Sequence, residues 1–362
     1  MFIAIRELKV ARGRFVLVGL VVALVAFLGV LLSGLATGLV DDGISGLRAQ
    51  RLTHLLVQEK SAGTFSKSTL TPLPADALKL NGVDSSELGM SFFNSKASTG
   101  DNVDLAVFGV AADSFLIPRA DGRAALEKPG TIVISEEIAQ DGIKVGDMLT
   151  LLGNEMTLTV AGVTQAGSYG HVPIAYTSLE TWQTALYGSD PRDRFSAYAL
   201  RMSDSSTAEV ASVAKSAGMD LLSKEEAFNG SPGYEAETST MTLIRGFLFV
   251  ISILIVGAFF TVWTVQRTHE IGIMKALGAS NGYVVRDALG QLAILLFVAT
   301  LIGTIVGYGV GLAVPGAVPF KLEPLAVLAA SLALIVTGLA GSLITVKRIL
   351  SVDPIIALGA GS

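Results

Sequence analysis

The chain contains no cysteine and only three histidines, His54, His171 and His269. The first absence excludes disulfides, thiol catalysis and cysteine-ligated metals, and it leaves the redox compartment unread. There is no Gly-x-x-x-x-Gly-Lys-Ser/Thr loop, and no Gly-Lys pair at all, so the polypeptide does not hydrolyse nucleotides through a P-loop. A Gly-x-Ser-x-Gly nucleophile elbow is missing too, and His269-Glu270 opens no zinc helix because no second histidine follows at the required spacing. We therefore expect no catalytic residue, no metal site and no covalently bound cofactor. Charged residues are scarce at 16%, against 51% hydrophobic residues and a mean hydropathy of +0.60, which is too apolar for an ordinary soluble protein. The net charge of -5 comes from acids concentrated between residues 41 and 240, and it argues against a nucleic-acid partner.

What is present are long apolar runs. After a basic segment 1–14 with Arg6, Lys9, Arg12 and Arg14, residues 15–39 run without a charge. That length spans a hydrocarbon core of about 30 Å. A cleaved signal peptide also begins basic and then apolar, but its apolar core is only about 7–15 residues, so the run reads as a retained first span. Three more runs follow at 241–265, 288–314 and 325–346, the first of them interrupted by Arg245. Lys and Arg cluster at 6–14, at Arg267, Lys275 and Arg286, and at Lys347-Arg348, whereas the short loop 315–324 carries only Lys321. The positive-inside rule then puts both termini (1–14 and 347–362) and the 266–287 segment in the cytoplasm, with 40–240 and 315–324 outside. Four spans require the termini to share a side, in agreement with the charge pattern.

Residues 40–240 are punctuated by Ser, Gly, Asp and Pro and form one domain of ordinary size. Strand-like pieces recur at His54–Glu59, Val103–Val110, Thr131–Ser135, Met148–Leu152, Met156–Thr164, Ile174–Thr177 and Ala197–Met202, with a helix at Thr207–Ala217. Leu73–Ser98 reads as a smaller lobe, and the polar approaches at 41–50 and 235–240 as helical stalks. The expected fold is thus a membrane α-helical bundle of four transmembrane helices carrying an α+β extracytoplasmic domain, in a bacterial cytoplasmic membrane.

Within this frame a few residues stand out. The segment 267–280 between the second and third spans has Ile271, Met274, Ala276 and Leu277 at roughly helical spacing and Arg267, Glu270 and Lys275 as a charged side. It reads as a short amphipathic helix at the membrane surface, which either lies in the headgroups or docks a soluble partner. Gly303, Gly307 and Gly311 lie four apart, as do Gly34 and Gly38, and such small-residue faces pack helices within one chain or form a homodimer seam. Tyr234, Glu235, Met241 and Arg245 lead into the second span. A charge there either snorkels to the headgroups or binds something. Tyr169 and His171, in Gly167-Ser-Tyr-Gly-His-Val-Pro173, form a second polar cluster on a loop, read as an exposed aromatic beside an imidazole.

One span, a large outside domain and three further spans, with Glu270-Ile-Gly272 and Lys275-Ala-Leu-Gly278-Ala-Ser280 after the second, resemble the FtsX/MacB-type permeases of ATP-binding cassette systems. Gly130-Thr-Ile-Val-Ile-Ser-Glu-Glu-Ile-Ala139, Val145-Gly-Asp147 and Leu158-Thr-Val-Ala-Gly-Val163 are similar to the MacB-type periplasmic core. The resemblance implies a homodimer partnered by two copies of a separate cytoplasmic ATPase, which would hold the ATP and magnesium. Glu270, Ile271, Gly272, Met274, Lys275, Leu277 and Gly278 would couple the two. The compact size and short tails further resemble the haem-exporting HrtB group. By that resemblance haem is the transported ligand, and Tyr169, His171, Tyr234 and Met241 supply the types of side chain that haem iron accepts, with Glu235 as a carboxylate alternative. Two other functions fit the same layout: a mechanotransmitter that controls an outside protein, and a lipoprotein or peptide exporter.

Overall fold

The computed structural model of the chain describes residues 12–117, 125–190, 193–266, 268–315 and 318–350. Arg6, Lys9, Arg267 and the tail from 351 onward lie outside the described residues. The chain forms two compact units, one made of Val40–Glu237 and the other of the flanking stretches 1–39 and 238–362.

The first helix, α1, runs unbroken over Arg12–Ala49. From its apolar part it continues through Asp41, Asp42 and Gly43 into the α+β unit. That unit holds ten strands: β1 (His54–Gln58), β2 (Val83–Ala97), β3 (Asn102–Val110), β4 (Thr131–Ser135), β5 (Met148–Leu151), β6 (Thr157–Thr164), β7 (Ser168–Tyr169), β8 (Val172–Ser178), β9 (Ala197–Met202) and β10 (Met219–Ser223). Among the described residues, α2 (Glu136–Gln140), α3 (Leu179–Tyr187) and α4 (Thr207–Ser216) lie between strands, and α5 (Lys224–Ala227) follows β10.

The strand order is β10-β1-β9-β2-β3-β8-β4-β6-β5, with β7 paired to β8. β5 also bonds back to the end of β2 through Ser95–Ala97 and Leu149–Leu151, so six of the strands close into a ring. The pairs β3–β8 and β4–β6 are parallel and the others antiparallel. All five residues of β4 are buried, as expected for a strand covered on both faces.

The sequence expectation of a smaller lobe over Leu73–Ser98 is corrected. Most of that stretch is β2, whose 15 residues bond in turn to β9, β3 and β5. Its run Val-Asp-Ser-Ser-Glu-Leu-Gly-Met-Ser-Phe-Phe-Asn-Ser-Lys-Ala has little β-branched content and no clean alternation. Its strand character comes from cross-strand partners instead of local propensity. Trp182 of α3 packs into a slot over Gly89 of β2 and Gly109 of β3, where any side chain would strike the indole.

The second unit is built from α1 and four later helices: α6 (Tyr234–Gln266), α7 (Thr268–Ala276), α8 (Asn281–Gly311) and α9 (Pro324–Leu350). Phe15–Ala49, Tyr234–Gln266, Asn281–Gly311 and Pro324–Ser342 are long and apolar enough to cross a membrane. The expected four membrane helices with an α+β domain are thus what the chain forms. A helix is one of the two ways to satisfy every backbone group in lipid. Close approach between these helices depends on glycine. A side chain at Gly303 would collide with the Ala23 carbonyl of α1, one at Gly307 would press on Val30, and Gly257 faces the Gly341 carbonyl. Gly34 and Gly38 are covered by Phe320 and by the Pro319 backbone, and Gly311 by Phe320 and Leu322. All five glycines offered as packing residues are therefore occupied by atoms of the same chain.

Candidate functional site

The segment between α6 and α8 shows how its motif works. α7 ends at Gly278, which adopts φ +94°, a left-handed conformation that suits glycine. The Gly278 N–H donates to the Lys275 carbonyl (3.0 Å) and the Ala279 N–H to the Met274 carbonyl (2.9 Å), the pairing of a Schellman helix stop. Two residues later Ser280 caps α8, its Oγ accepting from the Tyr283 N–H at 3.3 Å. Gly-Ala-Ser thus stops one helix and starts the next within three residues.

The apolar stripe of α7 is split. Ile271 and Gly272 are buried, and Ile271 joins a cluster with Phe15 and Val18 of α1, Phe260 and Trp263 of α6, and Val284 and Ala288 of α8. Met274 packs against the same cluster. Leu277, at the far end, is 83% exposed, Glu270 is exposed and Lys275 is half-buried. One side of α7 is therefore anchored to the long helices, while Glu270 and Leu277 are displayed.

Met241 and Arg245 lie one turn apart on α6. Arg245 lines a recess with Val25, Ala26, Ser33, Phe249 and Ser331, from α1, α6 and α9, with a volume of about 50 Å3. Its walls are mostly apolar, with Arg245, an exposed residue, and Ser33 and Ser331 as the polar residues among them. That space holds a few waters or one small polar group, since a single water needs roughly 10–15 Å3.

Tyr234 and Glu235 fall in the α+β unit instead. Tyr234 is half-buried against Phe228 with ring centres 6.1 Å apart, and Glu235 is exposed.

Tyr169, expected to be an exposed aromatic, is 1% exposed. It sits among Phe65, Phe92 and Phe108, stacked on Phe92 at 6.1 Å. Gly43 and Gly46 of α1 let the helix approach the segment Ala166–Ile174 closely. The Tyr169 hydroxyl has no hydrogen-bond partner among the described residues, and burial pushes its phenol up from the usual tyrosine range.

His171 follows in the turn, with a left-handed backbone at φ +63°. Its Nδ1 lies 2.9 Å from Asp42 Oδ2 and its Nε2 lies 2.8 Å from Glu237 Oε1. Sequence reasoning offered His171 as a side chain for haem iron and gave it neither partner, whereas here both ring nitrogens are taken by carboxylates. Burial pulls its pKa down, and the two hydrogen bonds and carboxylate charges outweigh that, so the net shift is upward.

Among the described residues no group of three or more His, Asp and Glu side chains is arranged to hold a metal ion.

Comparison with known proteins places these features in a family context. Residues 242–354 match the family model described as FtsX-like permease C-terminal, which takes in α7 and the helices on either side. A protein of Staphylococcus haemolyticus named "putative hemin transport system permease protein HrtB" is 25% identical over 366 residues, covering 99% of each chain. Its namesake in Staphylococcus epidermidis is 22% identical over the full length of both chains. An uncharacterized ABC transporter permease of Mycobacterium tuberculosis is 21% identical across 99% of each. Among solved structures, the periplasmic region of MacB from Actinobacillus actinomycetemcomitans aligns with 50% of this chain and 92% of its own, at 14% identity and a TM-score of 0.34. The chain thus carries an FtsX-like permease domain over residues 242–354, and it resembles ABC transporter permeases along its whole length.

Proposed function

We propose that the protein is the membrane subunit of an ATP-driven efflux pump. It works as a homodimer with two copies of a separate cytoplasmic ATPase and exports an amphipathic ligand, with haem as the preferred cargo. The observation that carries this reading is α7. A helix anchored at Ile271 in the cluster of membrane helices and displaying Glu270 and Leu277 is built to receive a push from a partner and pass it to rigid spans. The Lys/Arg pattern supports a cytoplasmic side for α7 and both termini, where the ATPase would reach them.

The cargo rests on weaker support. Relatives matched end to end are named for hemin transport. The recess beside Arg245 offers a cation and hydroxyls inside apolar walls, which suits a carboxylate at the edge of a larger apolar body. At about 50 Å3 it takes such an edge group and leaves the macrocycle outside, against lipid or a second copy. Differential binding of cargo in two conformations of the dimer then drives export.

The test is the absorption spectrum of the purified permease titrated with haem at micromolar concentration. Wild type should give a saturable Soret shift, weakened in Tyr234→Ala/Glu235→Ala if these supply the axial ligand and in Arg245→Met if the guanidinium holds a propionate. Absence of any shift in wild type would remove haem as the cargo while leaving ATP-driven export to be tested with other amphiphiles.

A further inference from the structure

His171 is contacted through both ring nitrogens by carboxylates on two different helices, Asp42 on α1 and Glu237 on α6. A neutral imidazole has one N–H and can donate to one carboxylate only. With both carboxylates ionised, two N···O contacts of 2.9 and 2.8 Å are both hydrogen bonds only when the ring is doubly protonated. The backbone around it is tightly tied. The Gly170 N–H donates to the Gly43 carbonyl at 2.8 Å, Ser231 Oγ donates to the same carbonyl at 2.7 Å, and the Ser168 N–H donates to Ser45 Oγ at 2.9 Å. Loop, α1 and the approach to α6 thus meet within one knot of the α+β unit.

The carboxylates depend on the ring. Glu237 Oε2 is buried and has no hydrogen-bond partner among the described residues, so the imidazolium on Oε1 is what compensates that charge. The other charged groups in the neighbourhood are Asp41 and Arg48 of α1, which pair with each other, Glu137 of α2, and the exposed Glu235 of α6. Glu137 accepts from Ser168 Oγ at 3.4 Å, and its own pKa is raised by burial and then by the charge of Asp42. His171 itself is about one-third exposed, so its proton exchanges with solvent.

We propose that His171 is a proton-operated latch that holds the end of α1 to the start of α6 through Asp42 and Glu237 and lets go when the imidazolium loses its proton. The sign follows from linkage. The pKa of His171 is raised on folding. The latch's contribution is therefore complete below the ordinary histidine value of about 6.5 and is lost as pH rises through the higher folded value. The two helices it joins are the ones through which the chain enters and leaves the α+β unit. Their spacing at this point would thus answer to external pH, whatever cargo the permease moves.

The chain lends itself to a direct test in lipid nanodiscs, because it has no cysteine and only two other histidines. Nitroxides at Ala49→Cys on α1 and Glu235→Cys on α6, both exposed, report the separation of the two helix ends. At about pH 5.5 one narrow distance distribution is expected, and at about pH 8.5 a second, broader component. His171→Asn tolerates the left-handed backbone and should remove the pH response. In selectively labelled protein, the His171 ring should titrate above the ordinary histidine value, and Asp42→Asn or Glu237→Gln should lower that midpoint. The latch is overturned if wild-type His171 titrates at or below the ordinary value. An identical pH response of the distance distribution in His171→Asn would overturn it too. Should His171→Asn not fold, the same comparison is made with Glu237→Gln, which must weaken the response for the latch to stand.

Discussion

Gly89 and Gly109 face each other directly across β2 and β3, and together they clear the slot that Trp182 fills. The indole is buried against both strands from α3, which Ser178 starts by accepting a hydrogen bond from the Thr181 N–H. Replacing Trp182 by Ala should leave a cavity and cost about 3–5 kcal/mol. Gly109→Ala should cost about 1–3 kcal/mol by overpacking, since the new methyl would have to displace the Trp182 Cβ and ring. Chemical denaturation followed by far-ultraviolet circular dichroism measures both, since Trp182→Ala removes the one tryptophan of the α+β unit. An unchanged midpoint in Gly109→Ala would mean that the slot opens without cost.

Gly303 makes the corresponding contact among the membrane helices. Its missing side chain admits the Ala23 carbonyl and the Ala26 methyl of α1. Gly303→Leu should therefore disrupt folding of a single copy, seen as lower thermal stability in detergent, before any question of dimerisation arises. If this glycine instead formed only a seam between copies, the variant would keep its stability and lose its dimer in size-exclusion chromatography.

The four membrane helices were legible in the sequence because a bilayer demands length and apolarity from each segment alone, and no distant residue can supply them. The turn Gly278-Ala-Ser280 was legible for a similar reason, since a helix stop and a helix cap are local chemistry. β2 was not, because its partners β9, β3 and β5 decide it and its own residues do not. The same holds for His171. Its loop suggested a polar surface cluster, but Asp42 and Glu237 stand 129 and 66 residues away in the chain. Tyr169, two residues earlier, was read as exposed, and its ring is buried among Phe65, Phe92 and Phe108, which stand 61 or more residues away in the chain.

Tyr169 yields a prediction that separates packing from ligand binding. Its hydroxyl is buried without a partner among the described residues, and such a group costs about 1–3 kcal/mol. Tyr169→Phe keeps the contacts with Phe65, Phe92 and Phe108 and removes the orphaned oxygen, so the α+β unit should become more stable, with a higher melting temperature. If haem binding in the same variant is unchanged, Tyr169 is a core residue only. A clear loss of the Soret shift at undiminished stability would make its hydroxyl a ligand exposed by a conformational change.

The turn after α7 fixes where that helix stops and α8 begins. An alanine at Gly278 would have to hold φ +94°, at a cost of about 1–2 kcal/mol, and would favour running α7 on toward α8 as one helix. Ser280→Ala weakens the same corner from the other side by removing the cap on the Tyr283 N–H, worth about 1 kcal/mol. Neither residue belongs to the buried cluster around Ile271, so both variants should insert and retain their helix content. Both should nonetheless lower the stimulation of the partner ATPase in reconstituted membranes, with Gly278→Ala the more severe. Glu270→Ala and Leu277→Asp alter only the displayed side of α7 and should weaken assembly with the ATPase, seen as a higher concentration needed for half-maximal stimulation. Full stimulation in all four variants would show that force enters the membrane helices somewhere other than α7.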